Sequence, residues 1–159
     1  MPSSNFERLV ALANKVFDIK NDPSQLNVNE DVLKRLKSIH PATISEFDNG
    51  NGPVAWLLLI PTTIEIMNRF ISGTINEREL YELTPTGIKY EAIYLCSALV
   101  LEEYRRKGII KTLALNAIKR IQSNHPIKAL FVWPFSSEGN KAAEMISTLV
   151  SLPLYSRKS

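Results

Sequence analysis

The stretch Ala92-Ile93-Tyr94-Leu95-Cys96-Ser97-Ala98-Leu99-Val100-Leu101-Glu102-Glu103-Tyr104-Arg105-Arg106-Lys107-Gly108-Ile109-Ile110-Lys111-Thr112-Leu113 decides the fold. Ala92 to Leu101 is a near-continuous apolar run broken by Ser97, as expected of a strand covered on both faces. Glu102 to Gly108 is a basic turn. From Ile109 to Gln122, the residues Ile110, Leu113, Ala114, Ala117, Ile118 and Ile121 recur along one helical stripe. After Asn124-His125-Pro126, Lys128 to Phe135 reads as a second buried strand, and Ser137 as the cap of a helix reaching about Leu152. Residues 92–136 therefore predict a strand–helix–strand unit, most simply a parallel right-handed crossover.

The chain before this unit predicts helices and a hairpin. Ser3 or Ser4 caps a helix to residue 18, with Phe6, Leu9, Val10, Leu12, Ala13 and Phe17 at helical spacing. Asn21 to Asn27 is a polar connection. A short helix follows from about Asn29 to Ser38, with Glu30 and Asp31 in its first turn. Ala42–Phe47, the turn Asp48-Asn49-Gly50-Asn51-Gly52 and Val54–Ile60 make a β-hairpin. Thr63 caps a helix carrying Ile64, Met67, Phe70 and Ile71, and another helical turn lies near Asn76–Tyr81. The fold class is mixed α/β: a central mixed β-sheet flanked by helices, with a helical insertion (Ile64 to Leu83) before the central strand. The 159 residues suit a single domain spanning 1–159.

Composition narrows the function classes. The chain is 45% hydrophobic and 22% charged, as in soluble globular proteins. No apolar run approaches the roughly 18–20 residues that span a bilayer, and the first residues show no secretory signal pattern. Cys96 is the one cysteine, which excludes an internal disulfide and multi-cysteine zinc sites; no metal is expected, and the expected compartment is cytoplasmic. Residues 1–100 carry 9 Lys/Arg against 12 Asp/Glu, whereas residues 101–159 carry 10 against 4. The C-terminal part is thus the better surface for an anion, or simply a well-solvated basic face. Nucleic acid is not expected as a partner, because only Tyr104 is interleaved with the basic cluster.

The turn Arg105-Arg106-Lys107-Gly108 runs into a helix start, which aims backbone N–H groups and a positive helix end at one point. Such a point suits a pyrophosphate. The alternative is that the three basic residues only solvate the turn. The spacing of a Walker loop is absent, and one glycine stands where a dinucleotide fingerprint needs three.

The segment Ala98 to Leu113 resembles the acyl-CoA-binding motif of the GNAT superfamily of N-acetyltransferases. In that family a strand leads to [Q/R]-x-x-G-x-[G/A], and here Arg105-Arg106-Lys107-Gly108-Ile109-Ile110 holds that place. The first Arg and the Gly match, while Ile110 departs from the small final residue. Ile110 either narrows the site or points into the core. Asn140-Lys141-Ala142-Ala143 resembles the family's Asn-x-x-Ala signature on the following helix. The order of elements agrees over roughly residues 1–152, with sequence specificity confined to 92–150.

The resemblance implies an acyltransferase-like fold with acetyl-CoA as cosubstrate and an amine as acceptor. It implies cofactor contacts at Leu99, Val100, Leu101, Arg105, Arg106, Lys107, Gly108, Ile109, Ile110, Lys111 and Asn140. A strand amide near Leu99 to Leu101 is the expected oxyanion donor. Family members often carry a general-acid Tyr where this chain has Ser147, so Tyr155 is the nearest candidate. Many also carry a carboxylate where this chain has Tyr94, so Tyr94 and Glu91 are the candidate bases. The closing strand pair of the family is missing or reduced to Leu152–Tyr155, and a truncated sheet edge invites a homodimer. The alternative function is a catalytically inactive CoA-binding or protein-interaction module.

Several further residues have plainer readings. His40 is expected to cap a helix end, and His125 to lie in a loop. Cys96, Trp56 and Trp133 are expected in the core, and Arg157 with Lys158 in a solvated tail.

Overall fold

The fold is that of a computed structural model, which describes residues 4–19, 30–133 and 137–157. In chain order the elements are α1 (Asn5–Ile19), α2 (Glu30–Ile39), β1 (Ile44–Asp48), β2 (Pro53–Thr62), α3 (Ile64–Ile71) and α4 (Glu77–Leu83). There follow β3 (Ala92–Val100), α5 (Ile109–Gln122), β4 (Ala129–Val132), α6 (Ser137–Val150) and β5 (Leu154–Ser156). The strands form one sheet in the order β1-β2-β3-β4-β5. The first two pairings are antiparallel and the last two parallel, so the chain is a mixed α/β protein with a five-stranded mixed sheet.

Local chemistry explains the element ends. Ser4 Oγ accepts from the Glu7 amide at the start of α1. In the β1–β2 loop, Asp48 Oδ1 accepts from the amides of Gly50 and Gly52, and Asn49 Oδ1 from that of Asn51. Thr63 caps α3, and Asn76 with Glu79 forms a reciprocal capping box on α4. The Arg35 guanidinium of α2 donates to the carbonyls of Tyr81 and Thr84 at the end of α4 and lies 4.6 Å over the Tyr81 ring.

The two sheet faces bury different helices. One face packs Leu57, Leu59, Ile93 and Leu130 against Ala114, Ala117, Ile118 and Ile121 of α5 and Ile146 of α6. The other packs Leu58, Ile60, Tyr94 and Phe131 against α2, α3 and α4. On that second face, Val54, Trp56, Leu99 and Leu101 meet Leu9 of α1. Burial on both sides is the reason that the apolar runs of β2, β3 and β4 show little alternation.

One irregularity in β3 sets the later register. Leu59 pairs with Leu95, but Leu58 pairs with Ser97, so Cys96 is an extra residue on β3. The extra residue reverses which side chains face each helix layer. Leu99, opposite Trp56, therefore joins the α1 cluster instead of facing α5.

Several expectations are corrected. Ser137 begins α6 as its first residue rather than preceding it as a cap. The expected closing strand pair is the single short strand β5, parallel to β4. Trp56, Trp133 and Cys96 are only half-buried. Arg157 is no solvated tail residue: its guanidinium lies over the rings of both Phe70 and Trp133. His40 is a buried cap of a different kind. Its Nδ1 accepts from the Ala42 amide, which leaves Nε2 to donate to Asn124 Oδ1 at 2.9 Å. The readings at Ser3, Asn21–Asn27, Asn29, Phe135 and Lys158 lie outside the described residues.

Candidate functional site

β3 and β4 are paired only from Ala92↔Ala129 to Leu95↔Val132. β4 then ends, while β3 continues to Val100 along β2. Ser97 and Ala98 are consequently exposed although they lie on a central strand. Beyond Leu95 no described strand pairs with this edge of β3.

A cleft of ≈ 240 Å³ occupies the gap. Its floor is Leu57 and Leu59 of β2 with Leu95 to Ala98 of β3, and Ile110 and Ala114 of α5 form one wall. Gly139, Ala142, Ala143 and Ile146 of α6 form the other, while Val132 and Trp133 close the end. Three of these four α6 residues have minimal side chains, which leaves room between the helices. The cleft thus sits at the carboxyl ends of two parallel strands, a favoured place for ligands in α/β sheets.

The basic turn lies at the start of α5, beside the Ile110 wall. Gly108, the N-cap, has φ +75°, a left-handed conformation that costs a side-chain-bearing residue energy. A Cβ there would meet only Lys111 Cε, at 3.9 Å, so glycine is required by the backbone and not by crowding. Arg106 also has positive φ, at 64°. The first intrahelical bond runs from the Thr112 amide to Gly108 O, and no side chain caps the helix. The amides of Ile109, Ile110 and Lys111 therefore precede the helical ladder and point outward from it.

The side chains of the turn divide into anchors and exposed charges. Arg8 of α1 bridges to Glu103 at 2.6 Å, and that hydrogen bond holds the Glu103 carboxyl below its ordinary value. Asn49 Nδ2 donates to the Tyr104 hydroxyl, and Lys107 Nζ lies 5.5 Å over the Tyr104 ring. Arg105 Nε donates to Val100 O at 3.2 Å, which ties the turn to the end of β3. Arg106, Lys107 and Lys111 are exposed at the start of α5, and Arg8 offsets the charge of Glu103. The local field favours an anion.

The expected site residues divide by position. Ile110 lines the cleft, and Gly108, Ile109 and Lys111 adjoin it on the same helix start. Leu99 and Leu101 instead turn to the α1 cluster. Asn140 is half-buried on α6, and its Nδ2 reaches Glu144 Oε1 at 3.4 Å. Glu91 precedes β3 at the end away from the cleft and pairs with Lys128 at 3.4 Å. Tyr155 is opposite Phe131 in the register, on the face away from α5, and is 45% exposed. Ser147 donates its hydroxyl hydrogen to Leu152 O.

Tyr94 is fully buried on the face opposite the cleft floor, where its hydroxyl donates to Glu77 Oε2 at 2.6 Å. Burial, reinforced by the negative charge of Glu77, pushes the phenol well above its ordinary value. Tyr94 stacks on Phe131 at 5.1 Å and meets Phe70 at 5.0 Å. Phe70 in turn stands edge-on to Trp133. The Arg157 guanidinium completes this group, 4.6 Å from the Phe70 centroid and 4.8 Å from that of Trp133.

The edge of β3 that β4 leaves unpaired includes Ser97 and Ala98, and Ser97, the polar break in the apolar run, marks it. Sequence reasoning missed Glu77, because nothing in a short amphipathic helix indicates which sheet residue its carboxylate meets. No residue of the insertion lines the described cleft; α3 packs on the opposite face.

Among the described residues no group of three or more His, Cys, Asp or Glu could hold a metal ion. No helix among them is long and apolar enough to cross a membrane. Compared with models of known protein families and with curated proteins, the chain matches none.

Proposed function

We propose that the chain is an acyl-CoA-dependent N-acyltransferase of the GNAT type, moving an acetyl group from acetyl-CoA to a primary amine. The observation that carries this reading is the parting of β3 from β4 beside an uncapped helix start ringed by Arg106, Lys107 and Lys111. In this reading the helix amides and basic side chains take the pyrophosphate. The apolar cleft takes the pantetheine arm, and the edge of β3 at Ser97 and Ala98 offers amide donors to the thioester oxygen. Acyl transfer then needs the amine to attack the carbonyl carbon, the C–S bond to break, and the amine proton to leave. Holding both reactants in place supplies much of the acceleration, and an amide aimed at the developing oxyanion adds to it. An amine of pKa roughly 10 loses its proton directly or through water. The site is assigned to the cytoplasmic pool of acetyl-CoA.

A second reading, a CoA-binding module without turnover, is favoured by one observation. The Ser147 hydroxyl, at the place of the family's acid, is committed to Leu152 O.

Calorimetric titration with acetyl-CoA separates both readings from an architectural likeness. Saturable binding to the wild-type chain, lost in an Arg106→Glu, Gly108→Asp double variant, is expected. Turnover of an amine panel then distinguishes enzyme from module. A folded chain that takes up no acetyl-CoA at millimolar ligand overturns both.

A further inference from the structure

Arg157 Nη1 is the one buried side-chain nitrogen or oxygen among the described residues without a hydrogen-bond partner. The guanidinium carries five N–H donors, and only ring contacts to Phe70 and Trp133 hold it. Its backbone is fixed independently: the Arg157 amide donates to Val132 O at 2.9 Å, continuing the β4–β5 pairing. A sheltered N–H left unpaired costs about 1–3 kcal/mol, so its retention here calls for an acceptor that arrives from outside. The residue as a whole is half-buried, so part of it meets solvent although Nη1 does not.

We propose that Arg157, seated in the corner formed by the Phe70 and Trp133 rings, binds the carboxylate of a small ligand on the sheet face opposite α5. The two rings hold the guanidinium in place, and its planar fork matches a carboxylate through two parallel hydrogen bonds. A phosphate dianion fits less well. Arg157 is the single cation in this cluster, and the Glu77 carboxylate is already held there by Tyr94. Trp133 connects this face to the cleft, since it also closes the end of the cleft. An amine acceptor that carries a carboxylate would use this site; that identification rests on the acyl-transfer reading, whereas the carboxylate site does not.

The test uses the full chain without acetyl-CoA, with propionate as the probe and propionamide at equal ionic strength as the neutral control. The readouts are the Trp133 indole N–H and Arg157 Nε–H signals in NMR. Propionate is expected to shift both saturably and propionamide to leave them in place. Arg157→Met is expected to weaken the propionate response at least about tenfold, and Arg157→Lys to retain part of it. The wild-type comparison needs no variant, so a poorly folded Arg157→Met chain does not spoil it. Equal or absent shifts with the two probes overturn the proposal and leave Arg157 as an anchor for β5. Tighter binding of inorganic phosphate than of propionate overturns the carboxylate assignment. A chain that answers propionate but not acetyl-CoA keeps this site and loses the acyl-transfer reading; the reverse result loses this site alone.

Discussion

The Tyr94 hydroxyl donates to Glu77 Oε2 at 2.6 Å, joining the central strand to the helical insertion through a buried pair. A strand residue and a residue seventeen positions earlier thus share one polar contact inside an aromatic cluster. Tyr94→Phe removes a charge-assisted donor from a buried carboxylate. It is expected to lower stability by about 1–3 kcal/mol in urea unfolding. A change within about 0.3 kcal/mol would show that the pair contributes nothing to folding.

Gly108→Ala tests the turn. The left-handed backbone at φ +75° costs an L-residue roughly 1–2 kcal/mol, and the open space around the glycine adds no steric penalty. The variant is expected to lose about that much stability and to bind acetyl-CoA more weakly, since relaxing φ redirects the helix-start amides. Unchanged binding by calorimetry would separate the turn from the ligand.

Ala142→Trp tests the cleft. Ala142 lines it from α6 yet is exposed, so an indole there fills the space with little effect on packing. Stability is expected to stay within about 0.5 kcal/mol, while acetyl-CoA affinity falls at least about tenfold. Retained affinity would place the ligand elsewhere.

His125 makes stability depend on pH. Its Nδ1 accepts from the Tyr90 amide at 3.2 Å. Burial, with the nearby charges of His40 and Lys89, holds its pKa below the ordinary 6.5. The unfolded chain therefore binds this proton first, and stability rises with pH through that window. The contribution is present above about 6.5 and is lost as pH falls through the lowered folded value. The Tm measured from pH 8 to 5 is expected to fall over this range, and His125→Gln to flatten the fall. An identical profile in the variant would assign the effect to other groups.

Much of this architecture was legible because apolar runs and caps are local signals. The run Ala92 to Leu101 predicted β3 and the stripe from Ile110 to Ile121 predicted α5; both are present, but only Ala92 to Tyr94 of β3 are buried, and Ser97 and Ala98 are exposed. The parallel relation of β3 and β4 followed from one intervening helix. The extra residue at Cys96 was not legible, since pairing with β2 creates it and no property of the Cys96-Ser97 dipeptide announces it. Arg157 was misread for a related reason: near the end of the chain its charge suggests solvent, and only the β4–β5 register sets it beside Trp133. The candidate bases Tyr94 and Glu91 came from the family resemblance, by the place along the strand where its members carry a carboxylate. Tyr94 is turned to the far face of the sheet, and Glu91 is placed beyond the reach of the cleft.

The central claim is that the gap between β3 and β4, with the start of α5, holds acetyl-CoA. Mapping amide chemical shifts in NMR during an acetyl-CoA titration tests it most directly. Saturable shifts concentrated at Gly108 to Lys111 and at Cys96 to Ala98 are the predicted result. No shifts at millimolar ligand, or shifts gathered on α2 and the β1–β2 hairpin, would contradict it.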